Sequence, residues 1–259
     1  MASVETEDGF RLWYEVVGEE GPGIVLPTRV RGEQGKLAAA LSTRHRVVRY
    51  KPRQVVGVLE PEDEAGGEFD PASFTRFPAE MEIADLHAVA DAAGMPEFVL
   101  GGYSGMGALA GFLAPLTERA VGLLVGGFPL LSGGDYWLGY VEGARAGVLT
   151  AGMPEKAAEH WMGVLMYREW LGRDDSEALA KKTGPKITWY GTRDGEPGCR
   201  MFDLVGGGAI ARRTAADTAR LEELGFTVLA FDGLDHIGGL AETDVVGPRL
   251  DAALASAGC

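Results

Sequence analysis

The segment Phe98-Val-Leu-Gly-Gly-Tyr-Ser-Gly-Met-Gly107 constrains this chain more than any other. An apolar run of strand length leads directly into a serine set among glycines, and Gly105 to Leu116 continues in small and apolar residues that suit a buried helix. Turning from strand to helix at one residue strains the backbone of that serine. Its neighbours two before and two or three after must then be small. The turn lifts a hydroxyl above the end of a sheet at a helix N-terminus, where the dipole and free N–H groups stabilise developing negative charge.

The rest of the chain supplies a sheet for such a turn. Apolar runs of strand length alternate with longer amphipathic stretches, the pattern of an α/β domain around a mostly parallel sheet flanked by helices. Strands are expected at Phe10–Val17, Gly23–Pro27, His45–Tyr50, Phe98–Ser104, Val121–Val125, Lys186–Tyr190 and Thr227–Phe231. Glu80 to Ala93 spaces Met81, Ile83, Ala84, Leu86, His87, Val89 and Ala90 mostly by three or four, which predicts a helix stopped at Gly94 before Pro96. Helices are expected on either side of the last strand, the final one near Pro248 to Ala257. Residues 130–184 have helical spacing rich in Trp, Tyr and Met and no strand-like run, so they read as a helical cap inserted into a core of 1–129 and 185–259.

Composition excludes several classes. The 259 residues carry 38 acidic against 24 basic side chains, a net charge of −14, which repels phosphate backbones and anionic lipid. Nucleic acid and membrane surfaces are therefore not expected partners. The longest apolar run, Ala120 to Leu131, is too short to span a bilayer and holds three glycines and a proline. The acidic, polar first residues lack the basic start and apolar stretch of an export signal. With only Cys199 and Cys259 there is no disulfide framework, and a cytoplasmic location is expected.

Across nearly its whole length the sequence resembles the α/β-hydrolase superfamily, specifically its capped esterase, lactonase and C–C hydrolase members. The resemblance rests on Asp8-Gly-Phe-Arg-Leu-Trp-Tyr-Glu-Val-Val-Gly18, Tyr50-Lys-Pro-Arg53, the serine turn, Gly191-Thr-Arg-Asp194 and Leu234-Asp-His236. It implies a catalytic triad in the chain order Ser104, Asp194, His236. Ser104 would attack an acyl carbon, His236 would move the proton, and Asp194 would orient the imidazole, with no metal or organic cofactor. Taken singly, each residue also has a plainer reading: Ser104 and Asp194 as turn residues, His236 as a helix cap. Asp232 and Asp235 compete as the acid.

Three places depart from the family pattern. Met106 stands where the last glycine of the elbow is usual, with Gly107 one residue later, so either Met106 packs tightly beneath the turn or the helix starts with slightly altered geometry. Pro27-Thr28-Arg29 replaces the usual His-Gly of the oxyanion loop. Aligned so, the oxyanion donors are the backbone N–H groups of Gly105 and Arg29, while the side chains of Arg29 and Arg31 are candidates for binding an anionic group on the substrate. Lys51-Pro-Arg-Gln54 replaces Asp-x-Arg-Gly. Tyr103, Trp137 and Trp161 are further candidates for lining an apolar substrate pocket, the cap tryptophans serving equally well as core of the cap itself.

The expected function is hydrolysis of a small, largely apolar ester, thioester or lactone. The alternative is a non-hydrolytic member of the same fold, a cyclase, lyase or ligand-binding protein, favoured by the altered oxyanion loop. A dinucleotide site at Gly105-Met-Gly-Ala-Leu-Ala110 lacks the acidic ribose partner about 20 residues on. The four histidines are scattered, without zinc-type spacing. Cys199 has no histidine at a recognised spacing.

Overall fold

The computed structural model describes residues 2–55, 66–199 and 204–258. Its strands are β1 (Ala2–Glu5), β2 (Arg11–Val17), β3 (Gly23–Pro27), β4 (Arg46–Tyr50), β5 (Phe98–Tyr103), β6 (Ala120–Gly126), β7 (Lys186–Gly191) and β8 (Thr227–Phe231). They form one sheet in the order β1-β2-β4-β3-β5-β6-β7-β8. The pairs β1/β2 and β2/β4 are antiparallel, and every pair from β4 onward is parallel. Continuous apolar runs such as Ile24-Val-Leu26 and Leu123-Leu-Val125 are buried on both faces, as inner parallel strands require. The short strand β1 was not anticipated, because only Val4 in Ala-Ser-Val-Glu carries a large apolar side chain.

Helices α1 (Gly35–Leu41), α2 (Ala79–Ala92) and α3 (Ser104–Leu113) precede β6. Helix α2 ends as its sequence predicts, with Gly94 at φ +69° and the Met95 N–H bonded to Ala90 O at 2.8 Å. Between β6 and β7 the chain forms α4 (Gly134–Thr150), α5 (Pro154–Leu171) and α6 (Ser176–Ala180), with α4 packed on α5. Then come α7 (Leu204–Ala216) and α8 (Thr218–Glu223) before β8, and α9 (Gly238–Ala241) and α10 (Thr243–Ser256) after it. The final helix starts five residues before the Pro248 at which the sequence placed it. Gly247 carries no Cβ to clash with the proline ring and packs against Ala40 of α1, so tertiary contact keeps the turn before Pro248 helical.

The sheet separates two apolar bodies. On one face Val25, Val48 and Leu100 pack with Leu86 and Val89 of α2, Leu109 and Phe112 of α3, and Met162, Leu165 and Tyr167 of α5. On the other, Ile24, Val99, Leu124 and Trp189 pack with Leu37 and Leu41 of α1 and Val246 and Leu250 of α10. Among the described residues no helix is long and apolar enough to cross a membrane.

Candidate active site

Ser104 opens α3 directly after β5, and at φ +55° it is the one non-glycine residue with positive φ among the described residues. Small neighbours make this possible. A Cβ on Gly102 would lie 2.5 Å from Met106 O, and one on Gly107 would lie 3.1 Å from the carbonyl oxygens of Gly102 and Gly126. Gly107 therefore takes the close approach that the usual elbow gives to the preceding position. Met106 turns into the core, where it is buried, so the substitution there does not distort the turn.

Asp194 follows β7 and His236 follows β8. Asp194 Oδ2 lies 3.0 Å from His236 Nδ1, and both side chains are almost wholly removed from solvent. Helix α7 closes over the aspartate so tightly that a Cβ on Gly207 would overlap Asp194 O. Asp232 and Asp235, the competing acids, are engaged elsewhere: Asp232 Oδ1 accepts from Thr192 Oγ1 at 3.2 Å and Asp235 Oδ1 from the Gly238 N–H at 2.8 Å. Tyr103 joins the serine strand to the histidine loop. Its hydroxyl donates to His236 O at 2.7 Å, and its ring centre lies 5.0 Å from the imidazole.

Gly105 sits in the first turn of α3, where backbone N–H groups have no intrahelical acceptor. The other proposed donor is differently placed. The Arg29 N–H donates to Glu33 Oε2 at 2.9 Å, and Glu33 Oε1 takes the guanidinium through Nε at 2.9 Å and through Nη2. In this structure a carboxylate four residues along the loop holds both the N–H and the guanidinium of Arg29. Arg-x-x-x-Glu spacing was visible in the sequence, but it normally signals a helix pair rather than a loop clamp. Arg31 stacks its guanidinium 5.4 Å over the Trp13 ring.

Of the aromatic candidates, Tyr103 adjoins Ser104 and His236, whereas Trp137 and Trp161 stand on α4 and α5. Tyr103 is buried in the core. Trp137 is buried against Phe128, 6.0 Å between ring centres. Trp161 donates through Nε1 to Phe74 O at 2.9 Å and is flanked by Arg145 and Arg168 at 4.8 and 5.6 Å. A cavity of about 410 Å³ lies where α5 and α6 meet the core, lined among others by Gly111, Phe128, Leu130, Trp170, Arg173 and Asp217. None of Ser104, Asp194 and His236 lines it.

The altered segment after β4 is anchored by charge. Arg53 is buried, with Nε and Nη2 at 2.6 and 2.5 Å from the two carboxyl oxygens of Asp85, and Nη1 at 2.6 Å from Asp8 Oδ2. The Arg53 hydrogen bonds hold Asp8 well below the usual carboxylate range. One turn before Asp85, Glu82 is fully buried beside Gln54, whose amide approaches it without forming a well-aligned hydrogen bond. Burial, reinforced by the charge of Asp85, pushes Glu82 up to about 8.

The chain matches no protein-family model, and no curated protein matches it by sequence. Solved structures do resemble it. A thermophilic esterase from Thermogutta terrifontis superposes with a TM-score of 0.63 at 14% identity, covering 99% of this chain and 98% of that one. The enol-lactonase from Burkholderia xenovorans LB400 gives 0.57 at 16% identity, over 98% of this chain and 100% of the other. A meta-cleavage product hydrolase from Pseudomonas fluorescens IP01 gives 0.57 at 15% identity, over 99% and 98%. At these identities the likeness is one of fold.

Proposed function

We propose that this chain, which has the α/β-hydrolase fold, is a serine hydrolase acting on a small, largely apolar carboxylic ester, thioester or lactone. The observation that carries the reading is the buried Asp194–His236 pair, 3.0 Å between Oδ2 and Nδ1, tied through Tyr103 to a serine on a strained strand-to-helix turn. A structural serine has no need of left-handed backbone, which costs roughly 1–3 kcal/mol outside glycine.

In this reading Asp194 accepts the Nδ1–H of His236, which leaves Nε2 as the basic nitrogen. Ser104 Oγ attacks the acyl carbon as its proton passes to Nε2, and the Gly105 N–H stabilises the oxyanion. The imidazolium then protonates the leaving alcohol, thiol or ring oxygen, giving an acyl-serine. Water, deprotonated by the same nitrogen, releases the acid and restores Ser104. Arg29 contributes the second oxyanion N–H once Glu33 withdraws from it. Residues 130–184 act as the cap on a core of 1–129 and 185–259, its aromatic side chains favouring an apolar substrate.

The engaged Arg29 N–H favours one second reading, a non-hydrolytic protein that binds a small ligand with the same fold. Turnover of p-nitrophenyl acetate and butyrate, with fluorophosphonate labelling in parallel, separates the two. The hydrolase reading expects both activities in the wild type and neither in Ser104→Ala. Absence of both from the wild type overturns it in favour of the binding protein.

A further inference from the structure

His236 sits in a loop with no regular structure between the end of β8 and α9. Its bond to Asp194 fixes one edge of the ring but leaves the backbone beneath it to be held by something else. Two buried aromatic side chains do this. Tyr103 Oη donates to His236 O at 2.7 Å, and Trp189 Nε1 donates to Gly239 O in α9 at 2.9 Å, so the histidine loop and the helix that follows it are tied to β5 and β7. Both bonds have the lengths of well-formed hydrogen bonds.

The ring of Tyr103 has little room to move. It lies 5.7 Å from the Trp189 ring centre and is bounded by three glycines. A Cβ on Gly126 would stand 2.5 Å from Tyr103 Cδ2, one on Gly127 2.7 Å from Cζ, and one on Gly239 2.3 Å from the hydroxyl itself. Burial raises the phenol well above its ordinary value, so the hydroxyl remains a donor throughout the pH range of any assay.

We infer that Tyr103 and Trp189 are positioning residues that set the place of His236 relative to Ser104, a conclusion that rests on the hydrolase reading for its catalytic meaning. The chain order makes the coupling direct. Tyr103 is the last residue of β5 and Ser104 the first of α3, so one rigid strand end carries the nucleophile and also holds the backbone of the base. Small displacements of a proton acceptor cost rate far more than they cost binding. Neither residue touches the reacting atoms.

Tyr103→Phe removes one oxygen atom and keeps the ring. Its expected effect is a fall in kcat on p-nitrophenyl butyrate of about tenfold or more, with KM within about twofold. Fluorophosphonate labelling slows in step, and the NMR shifts of the His236 imidazole nitrogens move from the fixed Nδ1–H form toward the average of the two tautomers. Trp189→Phe moves the same readouts in the same direction and serves if the first variant folds poorly. A Tyr103→Phe protein with wild-type kcat and wild-type imidazole shifts overturns the inference. A change in melting temperature alone, with both readouts unmoved, also overturns it. If the wild type shows no Ser104-dependent turnover, the hydrolase reading fails by itself. The imidazole shifts then decide the clamp: moved in Tyr103→Phe they uphold it, unmoved they refute it.

Discussion

Replacing Glu82 by glutamine tests the electrostatics beneath the β4 loop. Glu82 is fully buried, has only a poorly aligned contact with the Gln54 amide, and shares its helix face with the carboxyl of Asp85. Inside the fold it holds its proton to about pH 8, whereas in the unfolded chain it ionises near the ordinary 4.5. Between those values the folded chain binds an extra proton, so the wild type loses stability as pH rises through the interval. The penalty is absent below pH 4.5 and complete above pH 8, and at about 1.36 kcal/mol per pH unit its ceiling is ~5 kcal/mol. Local relaxation lowers this, and a loss of about 3 kcal/mol is a fair expectation. Glutamine keeps the shape and cannot ionise. Urea unfolding at pH 5 and pH 8 should therefore find the two proteins similar at the lower pH and Glu82→Gln more stable at the higher. Groups such as Asp85 titrate in both and largely cancel in the comparison. Stability curves that run parallel for the two proteins from pH 5 to 8 would refute the account.

Two further perturbations address the loop and the turn. Glu33→Ala releases the Arg29 N–H and should raise kcat on p-nitrophenyl acetate by about tenfold, less than the roughly hundredfold or more that a fully engaged oxyanion donor supplies; an unchanged or lower kcat would remove Arg29 from the oxyanion site. Ser104→Gly should abolish turnover yet stabilise the protein by about 1 kcal/mol in urea unfolding, because glycine adopts φ +55° without strain; a less stable variant would contradict the strain.

What the sequence disclosed and what it hid follow from the range of the forces involved. Strands β3 and β8 were legible to the residue, β7 to within one residue at one end and β6 to within one at each, because short runs dominated by apolar and β-branched or aromatic residues near Gly and Pro have few other uses. The turn at Ser104 was legible for the same local reason. The role of Tyr103 was hidden, since it depends on a carbonyl 133 residues away, and an aromatic next to a nucleophile reads equally well as a substrate contact. Trp189 was missed altogether; its only local trace is a second aromatic beside it in Thr188-Trp-Tyr190. The Glu33 clamp was missed because its loop reaches back upon itself without helical periodicity. Asp194 and His236 were singled out through the motifs Gly191-Thr-Arg-Asp194 and Leu234-Asp-His236, and their proximity became visible only once β7 and β8 lay side by side.

The division of the interior by the sheet has a consequence for how such a protein can change. The aromatic and thioether side chains of α4 and α5 belong to one apolar body, whereas Tyr103, Trp189 and Leu234 belong to the other. Substitutions that recut the wall presented by α4 and α5 propagate into packing that does not hold the histidine loop. On the proposed hydrolase reading, new substrate preferences would be accessible by drift in one half of the molecule while Asp194 and His236 are kept unaltered by the other, so a directed search for altered specificity would have most freedom in residues 134–171 and least around Gly126, Gly127 and Gly239.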